Sequence, residues 1–295
     1  MRDRNHTVTE NNSSAALAWI KAGVEALLYS SVFISLCAFG LTVETYLLTG
    51  LEVSLPMAGF VFLATLFTYN ISSLQRTWHG WSAARHHQSW VIRHQQQLAI
   101  LALLSLSGAI ALFFIYRLRI NLWFVLVLAF VSVGYTVPLL YKRIRPFRSV
   151  PLLKVFLIAL VWSAVTVLFP LIDAGVTTDN AVLVLWLRRF LFILALALLF
   201  DIRDYTYDRS TRTLTFPGLI GEGYTRLLSL ALLLLYLLLI IGTEEGRVMV
   251  SLLAGTLVAG LIVWNASEEK PRIYYALLAD GAMLVHFAFV YLAIS

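Results

Sequence analysis

Residues 181–208 read AVLVLWLRRFLFILALALLFDIRDYTYD, an apolar run that ends in three regularly spaced aspartates. The run from Ala181 to Phe200 matches the length of about 20 residues that a membrane-spanning helix needs. Its only charged residues are Arg188 and Arg189, which we expect either to snorkel to a membrane interface or to mark a later start of the helix. The segment therefore predicts a transmembrane helix with acidic residues at its end.

The three aspartates share one face of this predicted helix. Asp201, Asp204 and Asp208 follow an i, i+3, i+7 spacing, which places them within about 60° of one another around a helix axis. Clustered carboxylates beside an apolar span are costly unless a positive charge neutralises them. Mg²⁺ suits this donor set, because it binds one or two carboxylates together with waters and phosphate oxygens. The spacing fits equally well a solvated helix end at which the aspartates pair with nearby arginines such as Arg203.

The rest of the chain repeats the same apolar pattern. It has 295 residues, of which 60% are hydrophobic and only 13% are charged, whereas soluble domains carry about 25% charged residues. This composition excludes a soluble enzyme and a disordered chain, and the single cysteine excludes an internal disulfide. We predict an all-α, polytopic membrane protein with a polar N-terminal segment at 1–20 and one transmembrane domain at 21–295. The nine predicted spans are Ala26–Val43, Val53–Gln75, Leu98–Tyr116, Ile120–Tyr141, Val155–Ile172, Ala181–Phe200, Leu227–Thr243, Val248–Ser267 and Ile273–Ser295.

The basic residues predict the orientation of these spans. With nine spans, 17 of the 22 Lys and Arg residues fall on the side of the N-terminus and five fall on the other side. Basic residues accumulate on the cytoplasmic side of membrane proteins. We therefore expect the N-terminus and the three aspartates to be cytoplasmic, in the inner or plasma membrane if the source is bacterial. Topology also accounts for the net charge of +6, so nucleic acid is not an expected partner and membrane lipids are.

A second charged segment lies on the same predicted side of the membrane as the aspartates. Residues 141–148 read YKRIRPFR and carry Lys142, Arg143, Arg145 and Arg148. Arginine forks suit phosphate oxygens, although topology or contact with anionic lipid headgroups would explain this loop alone. Together the acidic and basic segments describe a site for a Mg²⁺-bound, phosphate-bearing ligand whose other end is apolar.

These segments resemble a known family. The stretch Phe200-DIRDYTYDRSTRTLTFPGLIG-Glu222 is similar to the second aspartate-rich segment of UbiA-type intramembrane prenyltransferases, and Tyr135-Thr-Val-Pro138 is similar to that family's Tyr-Ser-x-Pro stretch. The resemblance implies a helical bundle around a central cavity that holds Mg²⁺ and a prenyl diphosphate.

The resemblance also assigns roles to residues of this chain. It implies that Asp201, Asp204 and Asp208 are the catalytic, metal-binding carboxylates. The substrate-binding residues that we expect beside them are Tyr141, Lys142, Arg143, Arg145 and Tyr205.

The first aspartate-rich motif of the family is degenerate here. Aligned on Asn70, the three aspartate positions hold Ile71, Leu74 and Trp78. We expect fewer Mg²⁺ ions than in a family member with two motifs. Arg76 either contacts the diphosphate in place of a metal ion or serves as another cytoplasmic anchor. Asn70 and Ser73 are candidate hydrogen-bonding groups for the substrate.

Asp280 is an acid within the ninth predicted span. An acid in a span is a functional candidate by default, although a hydrogen bond or salt bridge to another helix would also satisfy it. We include Asp280 among the expected substrate-binding residues.

Three functions follow from these observations. The first is a UbiA-like transferase that moves a prenyl group from a prenyl diphosphate to an acceptor. The second is a catalytically altered or inactive relative that binds or carries an isoprenoid lipid or scaffolds a membrane enzyme. A transporter ranks behind both, because the helix breaks that mark transporter midplanes are missing from the sequence.

Overall fold

The computed structural model describes residue 19 and residues 21–78, 85–136, 152–210 and 214–295, with 76–78, 85–88, 133–136 and 210 described by their backbone alone. Every regular element within these ranges is helical, which agrees with the predicted all-α class. The elements are α1 (Lys21–Tyr29), α2 (Val32–Leu48), α3 (Leu55–Trp78), α4 (Arg85–Arg93), α5 (Gln95–Ile115), α6 (Leu122–Thr136), α7 (Leu153–Ser163), α8 (Phe169–Asp173), α9 (Asn180–Ser210), α10 (Phe216–Ile220), α11 (Glu222–Thr243), α12 (Gly246–Trp264) and α13 (Gly281–Ile294), with π-helical turns at Ala164–Leu168 and Tyr274–Ala279.

The described helices confirm an integral membrane protein with several spans. Seven helical segments are long and apolar enough to cross a membrane, and α1 and α2 make an eighth span if this pair, bent by 64°, is counted as one. Helix α6 supplies a shorter apolar segment, Leu122–Ser132. Each of the nine predicted runs overlaps one or more of these helical segments, and the part of the fourth run after residue 136 lies outside the described residues. The count of nine spans stays a prediction.

Helix α9 lies at the centre of the bundle. Every residue from Leu191 to Leu199 is buried, so this part of the helix is surrounded by protein on all sides. Helices that are apolar on every face are the ones a core buries. By contrast, α5 and α11 expose leucines such as Leu104 and Leu238 on their outer faces. The aspartates at the end of α9 are therefore presented at the middle of the bundle. We call this end of the bundle the aspartate end.

The arginine pair of α9 does not delay the start of the helix. Helix α9 begins at Asn180, and Arg188 and Arg189 are both buried inside the bundle. Arg189 Nη2 donates a 2.8 Å hydrogen bond to Glu44 of α2, and Arg188 pairs with Glu244 after α11. The expected later start of the helix was wrong, and two acids distant in the chain neutralise the arginines.

The Glu44 carboxylate joins further helices through His286. His286 Nδ1 lies 3.0 Å from Glu44 Oε2, and its Nε2 lies 2.8 Å from the Tyr236 hydroxyl. A carboxylate only accepts hydrogen bonds, so Nδ1 carries the proton and Tyr236 donates to Nε2 in the neutral imidazole. This network, in the order Arg189–Glu44–His286–Tyr236, ties α2, α9, α11 and α13 together about 18 Å along α9 from Asp201.

Candidate functional site

A cavity of about 400 Å³ opens beside the aspartate end of α9. Its charged lining residues, Lys154, Arg203, Asp204 and Asp280, define the end of the cavity that we call the mouth. From Arg203 the lining continues along α9 to Ile193, ten residues earlier, which is about 15 Å of helix. The cavity therefore has the length and the two chemically different ends that an amphipathic ligand requires.

The body of the cavity is apolar and aromatic. Phe60 and Phe169 lie at the end far from the mouth, with their ring centroids 6.4 Å apart. Tyr69 and Trp162 line the wall between them and the mouth, and Trp162 Nε1 donates a 3.2 Å hydrogen bond to the Tyr69 hydroxyl. A hydrocarbon chain that moves from water into this cavity would be stabilised by about 25 cal/mol per Å² of apolar surface buried.

The π-helical turns lie next to this cavity. One turn, Ala164–Leu168, contributes Val165 and Thr166 to the cavity wall, and the other, Tyr274–Ala279, immediately precedes Asp280. Single π-turns inside α-helices occur frequently at functional sites.

Asp201 is paired with a lysine from another helix. Lys154 Nζ, near the start of α7, lies 2.8 Å from Asp201 Oδ1. The Asp201 side chain is only 2% exposed and the Lys154 side chain 12%, so the pair is largely withdrawn from water. Lys154 lines the mouth, whereas Asp201 lies behind it.

Asp204 is held by its sequence neighbour. Arg203 Nε and Nη2 each donate a 2.8 Å hydrogen bond to one oxygen of the Asp204 carboxylate, which is the bidentate geometry of a strong pair. The guanidinium also lies 4.9 Å from the centroid of the Phe200 ring. This pairing is one of the two readings of the aspartates that the sequence left open.

Arg272 adds positive charge near the mouth. The pKa of Arg272 is lowered mainly because the side chain is partly removed from water, and second because the Arg203 guanidinium is nearby. Asp204 interacts electrostatically with Arg203, Lys154 and Arg272. The mouth therefore gathers cations from α7, α9 and the segment before α13.

Two residues of the aspartate segment lie away from the cavity lining. Asp208 is buried near the end of α9 and is not part of the lining of either cavity described here. The ring of Tyr205 faces α10, where its Cε2 lies 3.9 Å from the position that a Cβ on Gly218 would take. Their predicted roles in metal and substrate binding stay predictions.

The carboxylates of Asp201 and Asp204 fit a Mg²⁺ site only if a phosphate ligand binds the same ion. Within the described ranges, no three His, Cys, Asp or Glu residues are grouped closely enough to surround a metal ion. Mg²⁺ commonly uses one or two carboxylates plus substrate phosphates and waters, and Asp201 and Asp204 can supply those carboxylates. For that they must exchange their contacts with Lys154 and Arg203.

Asp280 lies between two cavities. A smaller cavity of about 120 Å³ lies under the bend between α1 and α2, and Asp280, Tyr69 and Ile34 line both spaces. Ser73 also lines the smaller cavity, which places this predicted substrate-binding residue near Asp280.

Asn70 is engaged by the protein backbone. Its Nδ2 donates hydrogen bonds of 2.9 Å to the carbonyl of Ser30 and 3.0 Å to that of Leu66. Ser30 precedes Ser31, whose positive φ of 65° marks the bend between α1 and α2. Asn70 lines neither cavity, so its geometry supports a structural role at this bend.

Several predicted substrate-binding side chains lie outside the described residues. Tyr141, Lys142, Arg143 and Arg145 fall in the interval between 136 and 152. Arg76 lies on α3, but its side chain is not among those described. Their roles stay predictions.

Sequence reasoning missed Lys154 and Trp162 as candidate site residues. Lys154 stands at the start of an apolar run and was counted only toward topology, and Trp162 lies inside that run. No local pattern marks either residue, because each meets its partner through helix packing.

The fold has known relatives among solved structures. A UbiA homologue from Archaeoglobus fulgidus bound to GPP and Mg²⁺ superposes with a TM-score of 0.64 over 92% of this chain and 99% of the archaeal chain, at 14% sequence identity. An apo UbiA homologue from Aeropyrum pernix K1 gives a TM-score of 0.55 over 91% and 98% of the two chains, also at 14% identity. A digeranylgeranylglyceryl phosphate synthase gives 0.53 over 93% and 97%, again at 14% identity.

These similarities establish a UbiA-like fold for the whole transmembrane region. No protein-family model matches the sequence, and no curated protein sequence matches it. The similarity therefore lies in the arrangement of the helices, at 14% sequence identity.

Proposed function

We propose that this protein is a membrane-embedded prenyltransferase, which transfers the prenyl group of a prenyl diphosphate to an acceptor. The observation that carries the proposal is the two-ended cavity of the UbiA-like fold, with cations and carboxylates at its mouth and aromatic side chains along its body. The UbiA homologues of the same fold that were solved with GPP or DMAPP and Mg²⁺ support it.

In this proposal the diphosphate lies at the mouth. Lys154 and Arg203 neutralise its charge, and Arg272 adds to the positive field. Arginine forks match phosphate oxygens, and fixed cations stabilise a departing pyrophosphate as the C–O bond breaks. The predicted substrate-binding residues Arg76, Lys142, Arg143 and Arg145 would add to this charge from the same side of the membrane, and Tyr141 would add a neutral hydrogen-bond donor.

The prenyl chain lies along the apolar body. The buried walls exclude water, which would otherwise capture the allylic cation. The ring faces of Tyr69 and Trp162, between the mouth and the far end, are suited to stabilise positive charge on the prenyl group. The acceptor then donates an electron pair to form the new bond to the prenyl carbon and loses a proton, and pyrophosphate is the leaving group.

Asp201, Asp204 and Asp208 are the proposed metal-binding residues. A bound Mg²⁺ supplies positive charge that offsets the charge of the pyrophosphate leaving group. Because the first motif carries no aspartate at its three family positions, we propose fewer ions than in a relative with both motifs. We further propose that the mouth faces the cytoplasm, as the distribution of basic residues predicts.

Turnover of a labelled substrate tests the proposal. Purified protein in lipid nanodiscs is incubated with Mg²⁺, ¹⁴C-labelled geranyl diphosphate and an extract of membrane lipids and quinone precursors, and the products are separated by chromatography. We expect labelled product from the parent protein and at least tenfold less from an Asp204→Asn variant. An equally active Asp204→Asn variant would contradict the assigned role of this carboxylate.

A second candidate is a relative that binds an isoprenoid without chemistry. The degenerate first motif and the pairing of Asp201 and Asp204 with cations favour it. It predicts an isoprenoid lipid that co-purifies with the protein, detectable by mass spectrometry, and no product in the turnover assay.

A further inference from the structure

We propose that Lys154 and Arg203 are exchangeable counter-ions, which hold Asp201 and Asp204 in the empty site and move to phosphate oxygens when a divalent cation takes the carboxylates. The inference rests on the proposed function, because it assumes that a diphosphate enters this mouth. It concerns how binding of the metal and binding of the phosphate depend on each other.

The Lys154–Asp201 pair is placed for such an exchange. The two residues come from α7 and α9, and their side chains meet at 2.8 Å with little exposure to water. Lys154 also lines the cavity, whereas Asp201 lies behind it. The same ammonium group can therefore serve the carboxylate or a ligand at the mouth by a change of side-chain rotamer, with α7 and α9 in place.

The Arg203–Asp204 pair is placed in the same way. Both residues line the cavity, and the pair is more exposed, at 24% and 15% of the two side chains. The contact joins sequence neighbours, so breaking it moves no helix. Since the guanidinium has five donors and uses two of them on Asp204, it can turn its fork toward a phosphate.

Charge balance makes the exchange cooperative. In the empty site the two cations neutralise the two carboxylates, which limits the cost of keeping charges beside an apolar cavity. A divalent cation alone must displace Lys154 from Asp201 and Arg203 from Asp204, and it offers these two cations no phosphate in exchange. A diphosphate alone must draw the same cations away from Asp201 and Asp204, and it offers the carboxylates no metal in exchange. Bound together, the two ligands replace both of the broken contacts, so each raises the affinity for the other.

Variants that remove one member of an ion pair distinguish this exchange from an ordinary structural salt bridge. A Lys154→Gln or Arg203→Gln variant frees a carboxylate, so we expect affinity for a divalent cation without phosphate to rise about tenfold. An Asp201→Asn variant removes the carboxylate charge that holds Lys154, so affinity for pyrophosphate without metal should rise about tenfold. Each variant loses one ion pair of the proposed site. Loss of a cation strengthens binding of the metal, and loss of a carboxylate strengthens binding of pyrophosphate.

The experiment measures the two ligands separately on the full chain in nanodiscs. Mn²⁺ binding without phosphate is followed by electron paramagnetic resonance, and pyrophosphate binding in EDTA is followed by calorimetry. Lys270→Gln and Glu269→Gln are the matched controls, because they make the same charge changes at exposed positions after α12. Lys154→Arg keeps the charge and should retain the affinity of the parent protein for Mn²⁺.

We expect tighter Mn²⁺ binding in Lys154→Gln and Arg203→Gln and tighter pyrophosphate binding in Asp201→Asn. Neither gain should occur in the two controls. Unchanged or weaker Mn²⁺ binding in both Lys154→Gln and Arg203→Gln overturns the exchange, as does an equal gain in Lys270→Gln. If Lys154→Gln fails to fold, Arg203→Gln provides the same test, because the Arg203 side chain is more exposed. Failure of geranyl diphosphate to bind the parent protein would instead refute the proposed function and leave the Mn²⁺ result readable.

Discussion

Asn70 has a structural role, although the family resemblance assigned it to the predicted first motif. Its amide donates hydrogen bonds to the backbone of Ser30 and Leu66. The carbonyl of Ser30 sits at the bend, where the helical hydrogen-bond ladder is interrupted, and needs a donor from elsewhere. Asn70 thereby supports the wall of the smaller cavity next to Asp280.

An Asn70→Leu variant should lower the free energy of unfolding by about 1–3 kcal/mol, because it leaves a buried carbonyl unpaired. Asn70→Asp, which keeps the volume but loses the amide donor, should lose at least as much. Thermal unfolding in detergent measures both. Ser107→Ala is the control, since this exposed hydroxyl bonds only to a carbonyl of its own helix. Equal stability of Asn70→Leu and Ser107→Ala would contradict the assignment.

At the scale of elements, α9 carries both polar features of the bundle. Its first half holds Arg188 and Arg189 within the bundle, and its last turns present Asp204 at the mouth of the cavity. The buried residues between them are apolar, so α9 acts as the rigid axis that fixes the site relative to the buried network.

Breaking the buried network from one side should be strongly destabilising. Arg189→Met removes the arginine counter-ion of the buried Glu44 and leaves that carboxylate with its weaker contact to His286, so we expect a loss of about 3–5 kcal/mol in the free energy of unfolding. Adding Glu44→Gln to this variant should cost less than the sum of the two single changes, because the unpaired charge is gone. Thermal unfolding measures the cycle, with exposed Arg247→Met as the control. Strict additivity would show that the pair is not coupled.

The wall contributed by α3 offers a test of the cavity that leaves the mouth intact. Thr65 lines the apolar body, and Thr65→Phe places a ring in space that the prenyl chain would occupy. We expect affinity for geranyl diphosphate to fall at least tenfold, while affinity for pyrophosphate stays within twofold of that of the parent protein. Leu104→Phe, on the exposed face of α5, is the matched control. An equal loss of affinity for both ligands would show that the prenyl chain does not occupy this part of the cavity.

At the scale of the whole molecule, the sequence predicts what is local. Long apolar runs become helices, and the aspartates and Asp280 lie at or within them, because hydrophobicity and helical periodicity are properties of neighbouring residues. The pairings that organise the site span 47 positions for Lys154–Asp201 and 145 for Arg189–Glu44. Such contacts depend on how helices pack, and the sequence carries no local signal for them.

The orientation is a property of the whole molecule that labelling can test. Cys37 is buried and is the only cysteine, so Cys37→Ala provides a background for single introduced cysteines. We expect Thr178→Cys, in the loop before α9, to react with an impermeant maleimide on intact cells. Glu269→Cys, at the aspartate end, should react only after the membrane is opened. The reverse pattern would place the mouth outside the cell.

The most direct test of the account compares three ligands on the purified chain with Mg²⁺ present: geranyl diphosphate, pyrophosphate and geraniol. If the cavity holds the head and the chain of one molecule, geranyl diphosphate should bind at least a hundredfold more tightly than either fragment, because only it uses both ends. Equal affinities for geranyl diphosphate and geraniol would show that the charged mouth takes no part, and would contradict the account.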